Sequence, residues 1–295
     1  MIVVDESGMV GTYLMQKLTE RAVRAGAKLV LIGDHRQLQA VSAGAPFRVI
    51  GERIGNVELE EIIRQRDEWA RKVVYDFRDG RAENAIQALI EKDQFFMDDD
   101  RDEAIDRLVR DWSKKIQAEK DYSQNLIVAG TNLEVRELNR RCQELRQLAG
   151  ESVVVDELSF YAGDRVLITK NHNPLLVKNG MLGTVTKADA ENSRLTIRFD
   201  EGYQVTLDTR VFSDLTLGYA ISTHKAQGVT SENCFVLLGQ MNDRELSYVQ
   251  GSRARGETRL YADRLTSGEL LSALALQLNQ SHLKDLAHEH LPEVA

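Results

Sequence analysis

The sequence is poor in three things: cysteine, long apolar runs and net positive charge. Its two cysteines, Cys142 and Cys234, stand far apart in 295 residues. That excludes a disulfide framework and gives no cysteine-based zinc spacing. No stretch approaches the roughly 20 apolar residues of a membrane-spanning helix. The N-terminus lacks the basic segment followed by an apolar one that marks a secretory signal. Cytoplasm is therefore the expected compartment. With 46 acidic against 38 basic residues, the formal charge of −8 argues against an all-over nucleic-acid coat. It leaves room for a local basic groove.

What is present fits an ordinary soluble protein, and about two domains are expected, because single cores rarely grow past roughly 250–300 residues. The chain opens on Met1-Ile2-Val3-Val4-Asp5-Glu6, an apolar run ending in two carboxylates with no loop or cap before it. Such a run reads as a buried parallel strand. A helix over Thr12–Ala25 and a second short strand over Ala27–Ile32 follow. Ile62, Ile63, Trp69, Val73 and Phe77 lie near helical spacing, as do Ala85, Ile86, Leu89 and Ile90. A third helix is expected over 102–120, then a strand at Leu126–Ala129 and a helix from Asn132 to Leu148. From Phe160 to Leu207 the period changes to two, with Asn-Gly and Glu-Gly turns, which predicts a small inserted barrel. The α/β pattern then returns, with strands at Cys234–Leu238 and Thr258–Ala262 and a helix over Arg244–Arg253. A tail helix is expected from Leu265 through Leu278, before a polar end with His282, His288 and His290.

Five segments carry chemistry. Asp5 and Glu6 stand at a strand end, where α/β sheets place ligands. Asp5 could hold Mg²⁺ and Glu6 could orient or deprotonate a water. Taken singly, such a pair is more often a solvated strand end. Gly33-Asp34-His35-Arg36-Gln37-Leu38 follows a second strand, so Asp34 and Gln37 would share the first pair's sheet edge. For Asp34 a helix N-cap is the structural alternative. Arg64, in Ile62-Ile63-Arg64-Gln65, needs a partner in apolar surroundings, either a phosphate or a carboxylate such as Glu60 or Glu61. Thr223-His224-Lys225-Ala226-Gln227-Gly228 combines a His-Lys pair with a hydroxyl, an amide and a glycine, which suits a phosphate backbone or a nucleotide. In Tyr248-Val249-Gln250-Gly251-Ser252-Arg253-Ala254-Arg255, Arg253 or Arg255 could reach a γ-phosphate from a helix end. Each of these segments alone could be a basic surface turn; all five in this order could not easily be.

In that order the segments DES, GDHRQL, IIRQ, STHKAQG and SYVQGSRAR resemble motifs II to VI of superfamily 1 helicases of the RecD-like branch. The run FYAGDRVLI to VKNGMLGTV is similar to the SH3-like insertion of that branch. DESGMV, AGAKLVLIGD, RQRDEWAR and VQGSRAR look closest to the helicase part of TraA-like (MobF) conjugative relaxases. The resemblance implies an α/β fold of RecA-like motor domains, the first truncated. On it, residues 1–58 are the remainder of the first motor domain, 59–152 and 209–264 the second, 153–208 the inserted SH3-like barrel and 265–295 a helical tail. It implies ATP and Mg²⁺ as cofactors, single-stranded DNA as partner, 5′-to-3′ travel and a place in conjugation machinery. Carried over residue by residue, Asp5 would be the Mg²⁺ aspartate and Glu6 the catalytic glutamate. Gln37, Arg64 and Arg253 would face the γ-phosphate. Asp34, Gln227 and Gly228 would lie on the nucleotide side, and Thr223, His224 and Lys225 beside the DNA.

Two departures qualify this. Many relatives carry a carboxylate two residues after the glycine of motif V; here that position is Thr230, with Glu232 two further on. No G-x-x-x-x-G-K-[ST] loop occurs in the 295 residues. Such a loop cradles phosphates with its backbone N–H groups and lysine. The missing motor half that carries it would be supplied by the same polypeptide or a separate chain. Two other readings stay open: a DNA-binding fragment that does not hydrolyse ATP, and a decayed reading frame.

Overall fold

The computed structural model describes residues 1–59, 61–119, 121–268 and 270–284. His288, His290 and Glu60 lie outside them. The first lobe contains β1 (Ile2–Val4), α1 (Thr12–Arg24), β2 (Leu29–Leu31) and α2 (Pro46–Ile54). β1 and β2 pair in parallel, Ile2 opposite Leu29 and Val4 opposite Leu31. The strand is not buried as its apolar run predicts: Val3 is 52% exposed. The physical reason is that this sheet has two strands among the described residues, so parts of both strands lie open.

The second lobe begins with α3 (Glu68–Arg78), α4 (Ala82–Ile90), β3 (Phe95–Asp98), α5 (Arg101–Glu119), β4 (Asn125–Ala129) and α6 (Asn132–Arg146). α6 starts on a capping box, the Thr131 hydroxyl accepting from the Glu134 N–H while Glu134 reaches back to the Thr131 N–H. Ile62 and Ile63 are not helical, although their spacing continues the stripe of α3; they precede a bend, and Ile63 lies in solvent.

The inserted unit follows: a hairpin of β5 (Ser152–Val155) and β6 (Leu158–Tyr161), then β7 (Arg165–Ile168), β8 (Leu182–Asp189), β9 (Arg194–Phe199), β10 (Gln204–Asp208) and β11 (Leu215–Leu217). The last five form one antiparallel sheet in the order β10-β9-β8-β7-β11. It therefore reaches Leu217, past the expected limit at 208, because β11 pairs with β7. Gly218 allows this return: a Cβ there would lie 2.6 Å from the Val166 carbonyl carbon.

The chain re-enters the second lobe through β12 (Ala220–Ser222), α7 (Thr223–Ala226), β13 (Ser231–Leu237), α8 (Arg244–Gly251), β14 (Ala254–Asp263), α9 (Arg264–Ser267) and α10 (Leu271–Asn279). The expected single tail helix is two pieces, because Gly268 takes φ 87 between them. The parallel sheet has the order β12-β4-β13-β14-β3. Its central strands, β4 and β13, are apolar runs buried on both faces. Successive side chains alternate between two cores. Leu126, Val128, Cys234 and Val236 pack toward α3, α4 and α10. Ile127, Ala129, Phe235 and Leu237 pack toward α5 and α6, in a core continuous with the interior of the antiparallel sheet. Trp112 closes that junction edge-on to Tyr219, with its Nε1 donating to the Asn125 carbonyl at 3.1 Å. The insertion is thus fused to the sheet rather than tethered to it.

Candidate active site

The site forms where loops of the two lobes face each other. β1 ends at Val4, and Glu6 follows in the left-handed region at φ 50, ψ 39. For a residue other than glycine that conformation costs about 1–3 kcal/mol and persists where the surroundings impose it. Here the Ser7 N–H donates to the Ile32 carbonyl at 2.8 Å and the Ser7 hydroxyl to the Val4 carbonyl at 2.8 Å. Those bonds turn the Glu6 side chain to the second lobe, where its Oε2 accepts from Gln227 Nε2 at 3.1 Å. Asp5 is exposed, and its Oδ1 accepts from the Glu6 N–H at 2.9 Å.

After β2, Asp34 makes a turn rather than a helix cap: its Oδ1 accepts from the Arg36 N–H at 2.9 Å. Its Oδ2 accepts from Gln37 Nε2 at 3.1 Å and from the Tyr248 hydroxyl at 2.8 Å. Leu38 packs against Leu246 and Val249 of α8, the apolar contact between the lobes.

Among the described residues Arg64 has no carboxylate in hydrogen-bond contact; its Nη1 donates to the Ser252 carbonyl at 2.7 Å. Buried Gln65 fixes the segment by donating to the Ala254 carbonyl at 2.8 Å. Arg66 forms a two-pronged ion pair with Glu232, one arm at 2.9 Å. This disposes of the shifted carboxylate of motif V: Glu232 is engaged by Arg66 and faces that loop. Arg253 is 2% exposed, just past α8. Its Nε donates to the Val249 carbonyl at 2.7 Å, Nη1 to the Ala226 carbonyl at 3.2 Å and Nη2 to the Ser252 hydroxyl at 2.7 Å. Burial first, and the Arg64 charge second, push its pKa down to about 10, while Glu6 acts in the opposite direction. Burial likewise lowers that of Arg64, again opposed by Glu6. Two guanidiniums and one carboxylate thus lie within electrostatic reach of one another. Neither guanidinium has a directly bonded carboxylate among the described residues, which leaves their charge available to an anion between the lobes.

The 223–228 segment divides. Thr223 is buried, its hydroxyl donating to the Ala129 carbonyl at 3.0 Å and accepting from Gln250 Nε2 at 2.8 Å. It fastens α7, and in this arrangement its hydroxyl is taken within the protein, where the resemblance had expected a contact with nucleic acid. His224 is exposed as a residue but its ring is partly shielded, Lys225 is half-buried, and this partial burial lowers the pKa of both. Gly228 is exposed at φ 79, a conformation that favours glycine. Sequence reasoning missed Gln250 and Asn242, whose buried amides bond at 2.7 Å, and it gave Tyr248 no role. Their signal is tertiary, since polar groups buried this deeply must find partners that only packing supplies.

No group of three or more His, Cys, Asp and Glu among the described residues is arranged to hold a metal. Asp5 nonetheless fits Mg²⁺, which usually takes one or two carboxylates together with substrate phosphates. Among the described residues no helix is long and apolar enough to cross a membrane.

A parallel sheet flanked by helices, with carboxylates and arginines meeting at loops between two lobes, gives a mixed α/β fold that resembles RecA-like motor domains. Pif1 helicase from Bacteroides, crystallised with ADP-AlF3 and single-stranded DNA, superposes with a TM-score of 0.59 at 18% identity, covering 87% of this chain and 69% of that one. Pif1 from Candida albicans gives 0.57 at 21%, covering 88% and 70%. The AAA domain family matches residues 1–99. By sequence, the chain is 40% identical over 270 residues to conjugal transfer protein TraA of Rhizobium radiobacter, covering 88% of this chain and 24% of that protein. It is 29% identical to the ATP-dependent RecD2 DNA helicase of Deinococcus radiodurans, covering 86% and 35%. Over most of its length the chain is thus similar to TraA and, more distantly, to RecD2. It spans about a quarter of the length of the TraA proteins it matches.

Proposed function

We propose that this chain forms part of an ATP-driven motor that moves along single-stranded DNA, within a relaxase-helicase serving conjugative transfer. The observation that carries the reading is the junction of the lobes, where Glu6 is bonded to Gln227 and lies within electrostatic reach of Arg64 and Arg253. Glu6 orients and deprotonates the attacking water. Arg64 and Arg253 stabilise charge that spreads over the transferring phosphoryl group. Gln37 faces the γ-phosphate from the first lobe, with Asp34, Gln227 and Gly228 on the nucleotide side. Asp5 would hold Mg²⁺, which when bound would neutralise phosphate charge. His224 and Lys225 face the DNA backbone.

In this reading residues 1–58 belong to the first motor domain, 59–152 and 209–264 to the second, and the antiparallel insertion is the SH3-like unit of the branch. Travel is 5′ to 3′, as in the RecD-like resemblance. The phosphate-cradling Gly-Lys-Ser/Thr loop comes from residues outside these 295. The open apolar surface of the first lobe, including Val3, Leu14 and Val23, supports such a covering.

The test is ATP hydrolysis, with and without single-stranded DNA, by an extended protein in which this chain continues from a segment bearing that loop. DNA-stimulated hydrolysis that disappears in Glu6→Gln is the expected result. No stimulated hydrolysis, or an indifferent Glu6→Gln variant, rejects the reading. Salt-dependent DNA binding without hydrolysis would then favour a DNA-binding module.

A further inference from the structure

Tyr248 lies in α8, whose end leads into Arg253, and its ring is buried. Its hydroxyl donates to Asp34 Oδ2 at 2.8 Å, and Gln37 Nε2 donates to the same oxygen at 3.1 Å. One carboxylate oxygen therefore joins a first-lobe amide to the second-lobe helix that leads to Arg253. The neighbouring contact of Leu38 with Leu246 and Val249 holds the two segments in register. Asp34 Oδ1 is taken by the Arg36 N–H, so the carboxylate has little freedom to turn away.

Both donors occupy the lone pairs of Oδ2. Each restrains the direction in which the other can approach, and in a partly buried network such bonds act together. While the Gln37 amide nitrogen is held there, the orientation of the whole amide is set, including that of its Oε1. If α8 moves away from the first lobe, Asp34 loses the Tyr248 hydroxyl, its carboxylate is freer to turn, and the Gln37 amide bonded to it is no longer held in one direction. The apolar contact at Leu38 would part in the same motion. Arg253 follows the end of α8, so movement of the arginine and loosening of the Asp34–Gln37 pair are one mechanical event.

We propose that Tyr248 is a positioning residue that reports lobe separation to Gln37 through Asp34. This rests on the reading of Gln37 as the residue that faces the γ-phosphate. Tyr248 touches neither substrate nor the reacting atoms in this scheme, and acts only through the shared carboxylate.

Tyr248→Phe removes one hydroxyl and keeps the ring that fills the core, so the fold is expected to persist. In the full chain, backbone hydrogen exchange over residues 33–40 should then speed up by about tenfold, as expected for loss of a hydrogen bond to a charged group, while β4 and β13 stay protected. In the extended protein, the ratio of DNA-stimulated to unstimulated hydrolysis should fall by about tenfold, and adding Gln37→Ala should lower it little further, since residues of one network are not additive. A loss of structure alone would depress both rates and keep the ratio. An unchanged ratio overturns the inference even if exchange speeds up, as does a Gln37→Ala effect that multiplies with that of Tyr248→Phe. If the wild-type extended protein hydrolyses no ATP, the motor reading falls and takes this role with it. If it hydrolyses normally while the Tyr248→Phe ratio is unchanged, only the role of Tyr248 falls.

Discussion

Gln227 of the second lobe donates a hydrogen bond to Glu6 of the first at 3.1 Å, across a separation of 221 residues in sequence. Glu6 needs an unusual backbone conformation to be there, and the bond falls on the side chain that the proposed chemistry requires. Glu6→Gln retains the size of the side chain and can still bond Gln227, but it cannot accept a proton. In the extended protein it should lower ATP hydrolysis by about 10²–10⁴-fold, the usual worth of a positioned general base. Thermal unfolding of the variant should shift little. Equal loss of stability and activity would argue for a structural role instead.

Arg253 separates function from stability in another way. Its guanidinium is buried with carbonyl and hydroxyl acceptors and, among the described residues, no carboxylate in hydrogen-bond contact. Burying a charge without a close counter-charge is costly, and an apolar side chain of similar volume removes that cost while stranding the acceptors. Arg253→Met should change stability by no more than about 2 kcal/mol by denaturant unfolding. In hydrolysis assays it should cost about 10³-fold or more, as loss of an arginine finger does.

His224 supplies a pH test. Burial lowers its pKa from the ordinary 6.5, opposed by Asp243 and reinforced by Lys284. The sign follows: the folded chain binds the proton less readily than the unfolded one, so this contribution to stability is complete above 6.5 and is lost as pH falls through the depressed value. A DNA phosphate near the ring would reverse the bias and favour the protonated form. Single-stranded DNA binding should therefore tighten as pH is lowered from 7.5 to 6, with proton uptake measurable by calorimetry in buffers of different ionisation enthalpy. His224→Ala should flatten that dependence. A wild-type affinity that does not change with pH would remove His224 from the interface.

Leu38 is buried against Leu246 and Val249, in a cluster of three buried residues that spans the lobes. Leu38→Ala should cost about 2 kcal/mol or more, in the range for truncating a buried leucine. Because the contact joins lobes rather than filling one core, the loss should appear as earlier unfolding of the first lobe, seen by hydrogen exchange over β1 and β2. A uniform loss over both lobes would contradict that placement.

Much of this was legible in the sequence. The apolar runs of β4 and β13 and the capping residues of α6 specify their elements locally. The five motifs name Glu6, Arg64 and Arg253 as candidates before any geometry is known. Other features were not legible. Ile62 and Ile63 continue the helical spacing of α3, yet the chain bends there, because Gln65 is pinned to the backbone around Ser252 and Ala254. The same motif offers Thr223 and His224 as neighbouring contacts, but one turn of helix buries the first and exposes the second.

The sequence by itself determined the alternation of helix and strand, the change to period two between Phe160 and Leu207, and the chemical types available at each strand end. Those follow from side-chain periodicity and turn preference, which act over a few residues. Only the tertiary structure decided which groups meet. Glu6 with Gln227, Asp34 with Tyr248, and Arg66 with Glu232 are pairings between distant segments. They are selected because buried or half-buried polar groups must find partners once the apolar faces have packed, and no local pattern records which partner packing will bring.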